Sequence, residues 1–168
     1  HFIDSKSLQI KTKDGKTETL TAQNFVIATG SRPVEIPGFK PDGKTIITST
    51  EALDITKKPE RLLVIGGGYI GLELGTYFSK VESKVTILEG GERLLSSMDQ
   101  DCVNVVSRGL KKRGVEVITQ ARAKSVKKIN TGLEVTFETS KGVEKTICDL
   151  ILMTVGRKPN SDTLSIEK

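Results

Sequence analysis

Residues 61–80 read RLLVIGGGYIGLELGTYFSK, and the fold turns on how this stretch is parsed. Leu62 to Ile65 is an unbroken apolar run, the composition of a parallel strand covered on both faces. It enters Gly66-x-Gly68-x-x-Gly71 with no polar residue between. Beyond the first glycines, Ile70, Leu74, Tyr77, Phe78 and Val81 recur at helical spacing. A strand that runs through glycines directly into a helix is therefore predicted.

Each glycine has its own task in such a turn. Gly66 permits a tight bend, Gly68 lets backbone approach a pyrophosphate, and Gly71 lets the helix pack closely on the strand. Gly75, one turn on, extends that packing. Unbonded N–H groups and the positive dipole end at the helix start attract phosphate. A second strand, Lys84 to Leu88, ends at Glu89, 23 positions after Gly66. This architecture places an acid there to accept hydrogen bonds from the adenosine ribose, and a carboxylate repels a 2′-phosphate. NAD rather than NADP is the expected ligand, with Arg93 the nearby cation that could receive a phosphate instead. Glycines alone more often make plain turns, but here strand, glycines, helix, second strand and acid fall in the required order. The fold class is α/β: a Rossmann-like dinucleotide-binding domain, with parallel sheet and helices plus an antiparallel hairpin or meander.

Downstream, Asp99 is placed to cap a helix that stops at Gly114. Val115 to Thr119 alternates as a third strand, and residues 133–147 read as a hairpin turning near residues 140–142. An apolar strand, Leu150 to Val155, ends in Gly156-Arg157-Lys158-Pro159. Upstream, residues 8–20 read as a hairpin with Asp14-Gly15 at its turn. A buried strand from Asn24 follows, ending in Thr29-Gly30-Ser31-Arg32-Pro33. Hairpin, strand and Gly-x-basic-Pro thus occur twice, 126 positions apart. Only the second copy has a glycine fingerprint before it. The expectation is a chain holding the tail of one dinucleotide domain, a linker, and nearly all of a second domain.

Composition narrows the function classes. At 168 residues, 36% hydrophobic and 28% charged, the chain suits one folded domain or one plus part of another. Its net charge of +5 comes from 26 Lys and Arg against 21 Asp and Glu. The basic residues are dispersed and aromatics make up only 4%, which argues against a nucleic-acid interface. No apolar run approaches the roughly 20 residues of a membrane helix. Cys102 and Cys148 lie 46 positions apart, without the spacing of a redox pair or metal knuckle. Cys102 shares a helical stripe with Val103, Val106 and Leu110, so both cysteines read as core filler. With His1 the sole histidine, neither a metal site nor a catalytic triad is expected.

Four stretches together carry a resemblance: FVIATGSRP (25–33), LLVIGGGYIGLELG (62–75), KVTILEGGERLL (84–95) and MTVGRKPNSDTL (153–164). In this order, over nearly the whole chain, they resemble the two-dinucleotide-domain flavoprotein disulfide reductases. These are the class I pyridine nucleotide-disulfide oxidoreductases, and the resemblance is to their dihydrolipoyl dehydrogenase family. It implies that residues 1–38 end the first segment of an FAD domain and 39–58 form a linker. Residues 59–156 would be the NAD domain, and 157–168 the return to the FAD domain. Gly66, Gly67, Gly68, Tyr69, Ile70, Gly71, Leu72 and Glu73 match the pyrophosphate loop, and Glu89 the ribose acid. Ala123 and Gly156 match positions lining the NAD cleft, while Thr29, Gly30 and Ser31 match a segment touching FAD. Tyr69 would cover the flavin and Glu73 lie near the nicotinamide; for Tyr69 and Ala123, ordinary packing is the alternative.

The resemblance also implies an activity for the full-length parent: oxidation of dihydrolipoamide to lipoamide by NAD+, through FAD and a CxxxxC disulfide. That disulfide and the histidine–glutamate base lie outside residues 1–168, so this chain is expected to bind NAD(H) without turnover. The implied partners are lipoyl domains of a 2-oxo acid dehydrogenase complex and a second copy in a homodimer, in the cytoplasm. Sister flavoproteins (mercuric reductase, coenzyme A disulfide reductase, NADH peroxidase or oxidase) remain alternatives. So does a nucleotide-sensing module without redox chemistry.

Overall fold

The structure, a computed structural model, describes residues 1–167. Its first elements are β1 (Phe2–Asp4), β2 (Ser7–Lys11), β3 (Thr17–Thr21), β4 (Ser31–Pro33), β5 (Ile46–Ile47) and α1 (Ser49–Ala52). There follow β6 (Arg61–Ile65), α2 (Tyr69–Lys80), β7 (Lys84–Leu88), α3 (Gln100–Lys112) and β8 (Glu116–Ile118). The last are β9 (Arg122–Ile129), β10 (Gly132–Thr139), β11 (Gly142–Cys148), β12 (Leu150–Met153) and β13 (Arg157–Pro159). Two compact units result: Pro33–Gly156, and His1–Arg32 with the segment from Arg157 onward.

The larger unit is built on a five-stranded sheet in the order β5-β12-β6-β7-β8, with every strand pair parallel. On one face Leu62, Val64, Val85, Ile87 and Leu152 pack against Leu72 and Phe78 of α2 and Val103 and Leu110 of α3. On the other, Leu63, Ile65, Leu88, Ile151 and Met153 pack against Leu133, Val135 and Phe137 of β10. Both faces of β6 and β12 are therefore covered, which is why their sequences are apolar without alternation. Asp99 caps α3 by accepting from the Asp101 N–H at 2.9 Å, and Gly114 leaves the helix at a φ of +71°.

Helix α2 buries Gly71, Leu72, Gly75 and Phe78, with Leu74 and Val81 at the margin of the core. Tyr77, expected on the core face, is instead 58% exposed. Gly75 does not serve close packing either. A Cβ there would meet Ile87, Val85 and Val64 side chains at 3.6–3.7 Å, ordinary contact distances. Since glycine costs a helix interior about 1 kcal/mol relative to alanine, Gly75→Ala should stabilise the chain by about that amount. A rise in the urea midpoint at constant m-value checks it.

Two stretches depart from the expectations. Residues 39–58, read as a linker, supply Phe39, Ile46, Ile47 and Ala52 to the core, and β5 pairs with β12. Short apolar pieces between polar residues hide this role, because burial comes from strands far along the chain. The expected hairpin is there, β10 with β11, and residues 122–129 add a third strand, β9, to make a three-stranded meander. Its third strand escaped notice because a register shift at Thr136/Phe137 pairs Phe137 with Ala123 and Val135 with Val126. The inward residues of β9 are then three apart rather than two.

Arg61 staples this antiparallel sheet to the parallel one. Its guanidinium binds both carboxylate oxygens of Asp149 and donates to the Thr131 carbonyl. The side-chain bond from Arg61 holds Asp149 below the usual carboxylate range. A carboxylate whose pKa is depressed on folding adds stability above its unfolded value near 4 and loses it as pH falls through the folded value. The pair is about a third exposed, so solvent screening limits its worth to about 1 kcal/mol. Asp149→Asn should lower stability by that much at pH 7, and its deficit should shrink toward pH 2. Urea unfolding at both pH values tests this.

In the smaller unit β1, β2 and β3 form an antiparallel sheet, with Leu8 opposite Leu20 and Gly15 in the turn at a φ of +84°. The buried strand expected from Asn24 is not there. Residues 24–28 make no backbone hydrogen bond among the described residues, and Val26 is 92% exposed. Apolar composition makes a strand only where neighbours supply hydrogen-bond partners, and no described strand lies beside this one. The Phe25 ring stands edge-on to Phe2 with centroids 5.1 Å apart. Beyond it the two Gly-x-basic-Pro segments meet as the two-stranded sheet β13-β4.

Candidate functional site

The glycine turn lies where β6 ends and α2 begins, at the carboxyl edge of the parallel sheet. Gly66 sits at a φ of +111°, and a Cβ there would run into the Thr154 carbonyl group, 2.6 Å from its carbon. Gly71 is as constrained: a Cβ would strike the Gly66 carbonyl oxygen and come 2.6 Å from Thr154 Oγ1. Gly67 is hemmed by Leu94 and by Glu89, whose Oε2 would be 3.0 Å away. Gly68 differs from all three. Its φ of −79° suits any residue, and a Cβ would meet nothing within 4 Å. The space beside it is open, as a cradle for a ligand requires.

Unpaired backbone donors cluster at this turn. The N–H groups of Gly68, Tyr69, Ile70 and Gly71 find no acceptor among the described residues, and the first helical bond is Leu72 N–H to the Gly68 carbonyl at 3.0 Å. Four unsatisfied amides at the tip of a 12-residue helix, with the helix dipole behind them, have the chemistry to receive an anion.

Glu89 stands at the end of β7, beside this tip. Its Oε2 accepts from the Gly67 N–H and its Oε1 from the Gly91 N–H, each at 2.6 Å. Each carboxylate oxygen can take a further hydrogen bond, so the group can serve a ribose while bracing the loop. Arg93 is not aimed at that carboxylate. It donates to Gln100 Oε1 and the Ser96 carbonyl at 2.8 Å and to the Met98 carbonyl at 3.1 Å, so its fork stiffens its own loop.

The other residues singled out by the sequence divide. Leu72 is buried in the core beneath α2, and Ile70 is partly buried. Tyr69 is 60% exposed in the first turn of α2, and Glu73 is exposed one turn later on the same side. Ala123 packs against the core opposite Phe137, so ordinary packing accounts for its methyl. Gly156 is exposed, at a φ of +121° that favours glycine, and its carbonyl accepts from Val34 N–H at 3.0 Å. In the smaller unit Thr29, Gly30 and Ser31 bind the returning chain. Thr29 Oγ1 donates to the Asn160 carbonyl at 2.8 Å, the Gly30 carbonyl accepts from Asn160 N–H, and Ser31 Oγ accepts from Arg157 Nε.

Sequence reasoning missed two supports of the turn. Leu95 N–H donates to the Gly67 carbonyl at 3.0 Å, and Thr154 Oγ1 lies 3.0 Å from the Gly66 carbonyl. Neither has a local signal, since each meets the turn only through the fold. The cysteines also part ways: Cys102 is exposed, contrary to its reading as filler, because α3 turns it outward beside buried Val103. Cys148 is buried, and burial pushes its thiol up to about 12. A separate groove of about 350 Å³ runs along α3 and β8, lined by Arg93, Leu94, Val103, Lys111 and Val117, and includes none of residues 66–73. Among the described residues, no helix is long and apolar enough to cross a membrane.

Comparison with known proteins adds an independent line. Residues 2–168 match the pyridine nucleotide-disulphide oxidoreductase family. The chain is 47% identical over its whole length to a dihydrolipoyl dehydrogenase of Staphylococcus aureus, of which it covers 36%. Among solved structures, LpdA of Mycobacterium tuberculosis superposes with a TM-score of 0.81 at 30% identity, over 98% of this chain and 37% of that one. A water-forming NADH oxidase of Lactobacillus brevis, bound to NADH, gives a TM-score of 0.71 at 26% identity, over 94% and 36%. The chain thus spans about a third of the length of these relatives.

Proposed function

The chain belongs to the pyridine nucleotide-disulphide oxidoreductase family, and from that premise we propose that it is the NAD(H)-binding portion of a dihydrolipoyl dehydrogenase. The observation that carries this reading is the group of four unbonded amides at residues 68–71, at a turn open beside Gly68, with Glu89 bonded to the Gly67 N–H. Those amides would grip the diphosphate, and the spare lone pairs of Glu89 would accept from both ribose hydroxyls. A 2′-phosphate would meet that carboxylate with no free cation in its loop, since Arg93 is engaged elsewhere. NAD(H) is the expected partner, and NADP(H) the disfavoured one.

In the whole enzyme this portion would deliver NAD+ to a flavin that accepts two electrons from dihydrolipoamide through a redox disulfide. The chain's two cysteines are free and 46 positions apart, so the disulfide is not theirs, and the chain alone binds without turnover. In the domain scheme, residues 1–38 close the first FAD-domain segment, 59–156 form the NAD domain and 157–168 lead back. The unpaired apolar segment 24–28 supports this, as an interior strand without its neighbours has that character. Thr29, Gly30 and Ser31 would form the part of the first segment that touches FAD. The lipoyl domains of a 2-oxo acid dehydrogenase complex and a second copy in a homodimer complete the proposal. Free thiols suit the reducing cytoplasm. The likeness to an NADH-bound oxidase favours a sister flavoprotein as the second reading.

Titration with NADH, followed by its own emission in a chain that holds no Trp, tests the proposal. Saturable binding with at least tenfold weaker binding of NADPH is expected. No binding of NADH by the folded chain, or equal binding of both, would overturn it.

A further inference from the structure

The peptide unit between Gly66 and Gly67 is gripped at both ends by groups from different strands. Its carbonyl lies 3.0 Å from Thr154 Oγ1, just past β12, and its N–H donates at 2.6 Å to Glu89, at the end of β7. The hydroxyl is also 3.2 Å from the Ile65 carbonyl, and the Thr154 N–H already serves that same carbonyl at 2.8 Å. The Gly66 carbonyl is the nearer of the two and has no other donor among the described residues, so the hydroxyl proton is assigned to it.

The geometry points to Thr154 as a positioning residue of the dinucleotide site: its hydroxyl sets the plane of the Gly66–Gly67 peptide and, through it, the direction of the phosphate-binding amides. This rests on the NAD(H)-binding reading above. A trans peptide is rigid and its N–H and C=O point in opposite directions, so two anchors fix one unit completely. The next unit follows. Its carbonyl, that of Gly67, is held by Leu95 N–H at 3.0 Å, which turns the Gly68 N–H to the other side. That amide begins the unbonded series at 68–71, so the loop is ordered before any ligand arrives and the ordering cost does not fall on binding.

Thr154 also borders two of the three fingerprint glycines. The Cβ of any residue at 66 would collide with the Thr154 carbonyl group, and one at 71 would come 2.6 Å from its hydroxyl. The partly buried hydroxyl thus lies against both the turn and the helix. Without it the Gly66 carbonyl loses its partner and the peptide is free to rotate.

Two substitutions separate the hydroxyl from the rest of the side chain. Thr154→Ala removes hydroxyl and methyl, whereas Thr154→Ser removes the methyl only. The alanine variant should bind NADH about fivefold more weakly, the size expected for one neutral hydrogen bond, and the serine variant within twofold of the parent. Without ligand, hydrogen exchange at the Gly67 amide should accelerate at least fivefold in Thr154→Ala and not in Thr154→Ser, while amides of α3 keep their rates. If Thr154→Ala unfolds, Thr154→Val, of nearly the parent's volume, takes its place. Parental affinity and parental Gly67 exchange in the variant lacking the hydroxyl would overturn the assignment, as would a serine variant that behaves like it. Failure of the parent itself to bind NADH would sink the functional reading instead, and Gly67 exchange would still decide the role of Thr154.

Discussion

Replacing Glu89 by alanine should weaken NADH binding by about a hundredfold. Two charge-assisted hydrogen bonds to the ribose are lost, together worth about 3 kcal/mol. Gly67 and Gly91 lose their acceptor as well, so part of the deficit comes from a looser turn. NADPH should suffer less, because the repulsion of its 2′-phosphate goes with the carboxylate. A second change should reverse the preference. A Cβ at Gly90 would meet only Arg122 Cγ at 3.9 Å, so Gly90→Arg can be accommodated there. The pair Glu89→Ala, Gly90→Arg places a cation where the carboxylate stood, and NADPH should then bind more tightly than NADH. Competitive titrations of both coenzymes measure the reversal. A double variant that still prefers NADH would show that Glu89 does not govern the choice.

The second large effect is expected at Gly71. A methyl group there collides with the Gly66 carbonyl oxygen and stands 2.6 Å from Thr154 Oγ1 and 3.1 Å from Val64 Cγ1. Two of these obstacles belong to structure that cannot move cheaply, the backbone of the turn and the end of a buried strand. Gly71→Ala should therefore destabilise the chain by about 3 kcal/mol, the upper range for overpacking. It should also abolish measurable NADH binding, because relief requires α2 to move and its amides point from that tip. Urea unfolding and NADH titration of the same sample measure both. The contrast with Gly75→Ala, one turn away and expected to stabilise, makes the test internal. A cost below about 1 kcal/mol at Gly71 would mean that the helix is not seated on the turn as described.

Much of the site could be read from neighbouring residues. A continuous apolar run, glycines at fixed offsets, an amphipathic helix and an acid at the next strand's end are local patterns, because covered strands, tight turns and helices have short-range requirements. The same reasoning misread Asn24–Thr29, where composition is that of a strand but no described strand lies alongside. It also misread residues 39–58, since Phe39 and β5 are buried by elements far away in sequence. Cys102 failed for a subtler reason: on a helix with one narrow buried face, a rotation of one residue decides between core and solvent.

The sequence by itself determined that a strand must bend through Gly66 into a helix and that a carboxylate would stand at the end of the next strand. Backbone dihedrals and hydrophobic period are properties of residues close together, so they are legible in order. Only the tertiary structure decided what the glycines must avoid and where the carboxylate spends its oxygens. Thr154 reaches the turn from a strand that pairs beside β6, while Glu89 folds back on the amides of Gly67 and Gly91. Steric neighbours and hydrogen-bond partners are set by which strands lie side by side, and that ordering is a property of the sheet rather than of any stretch of chain.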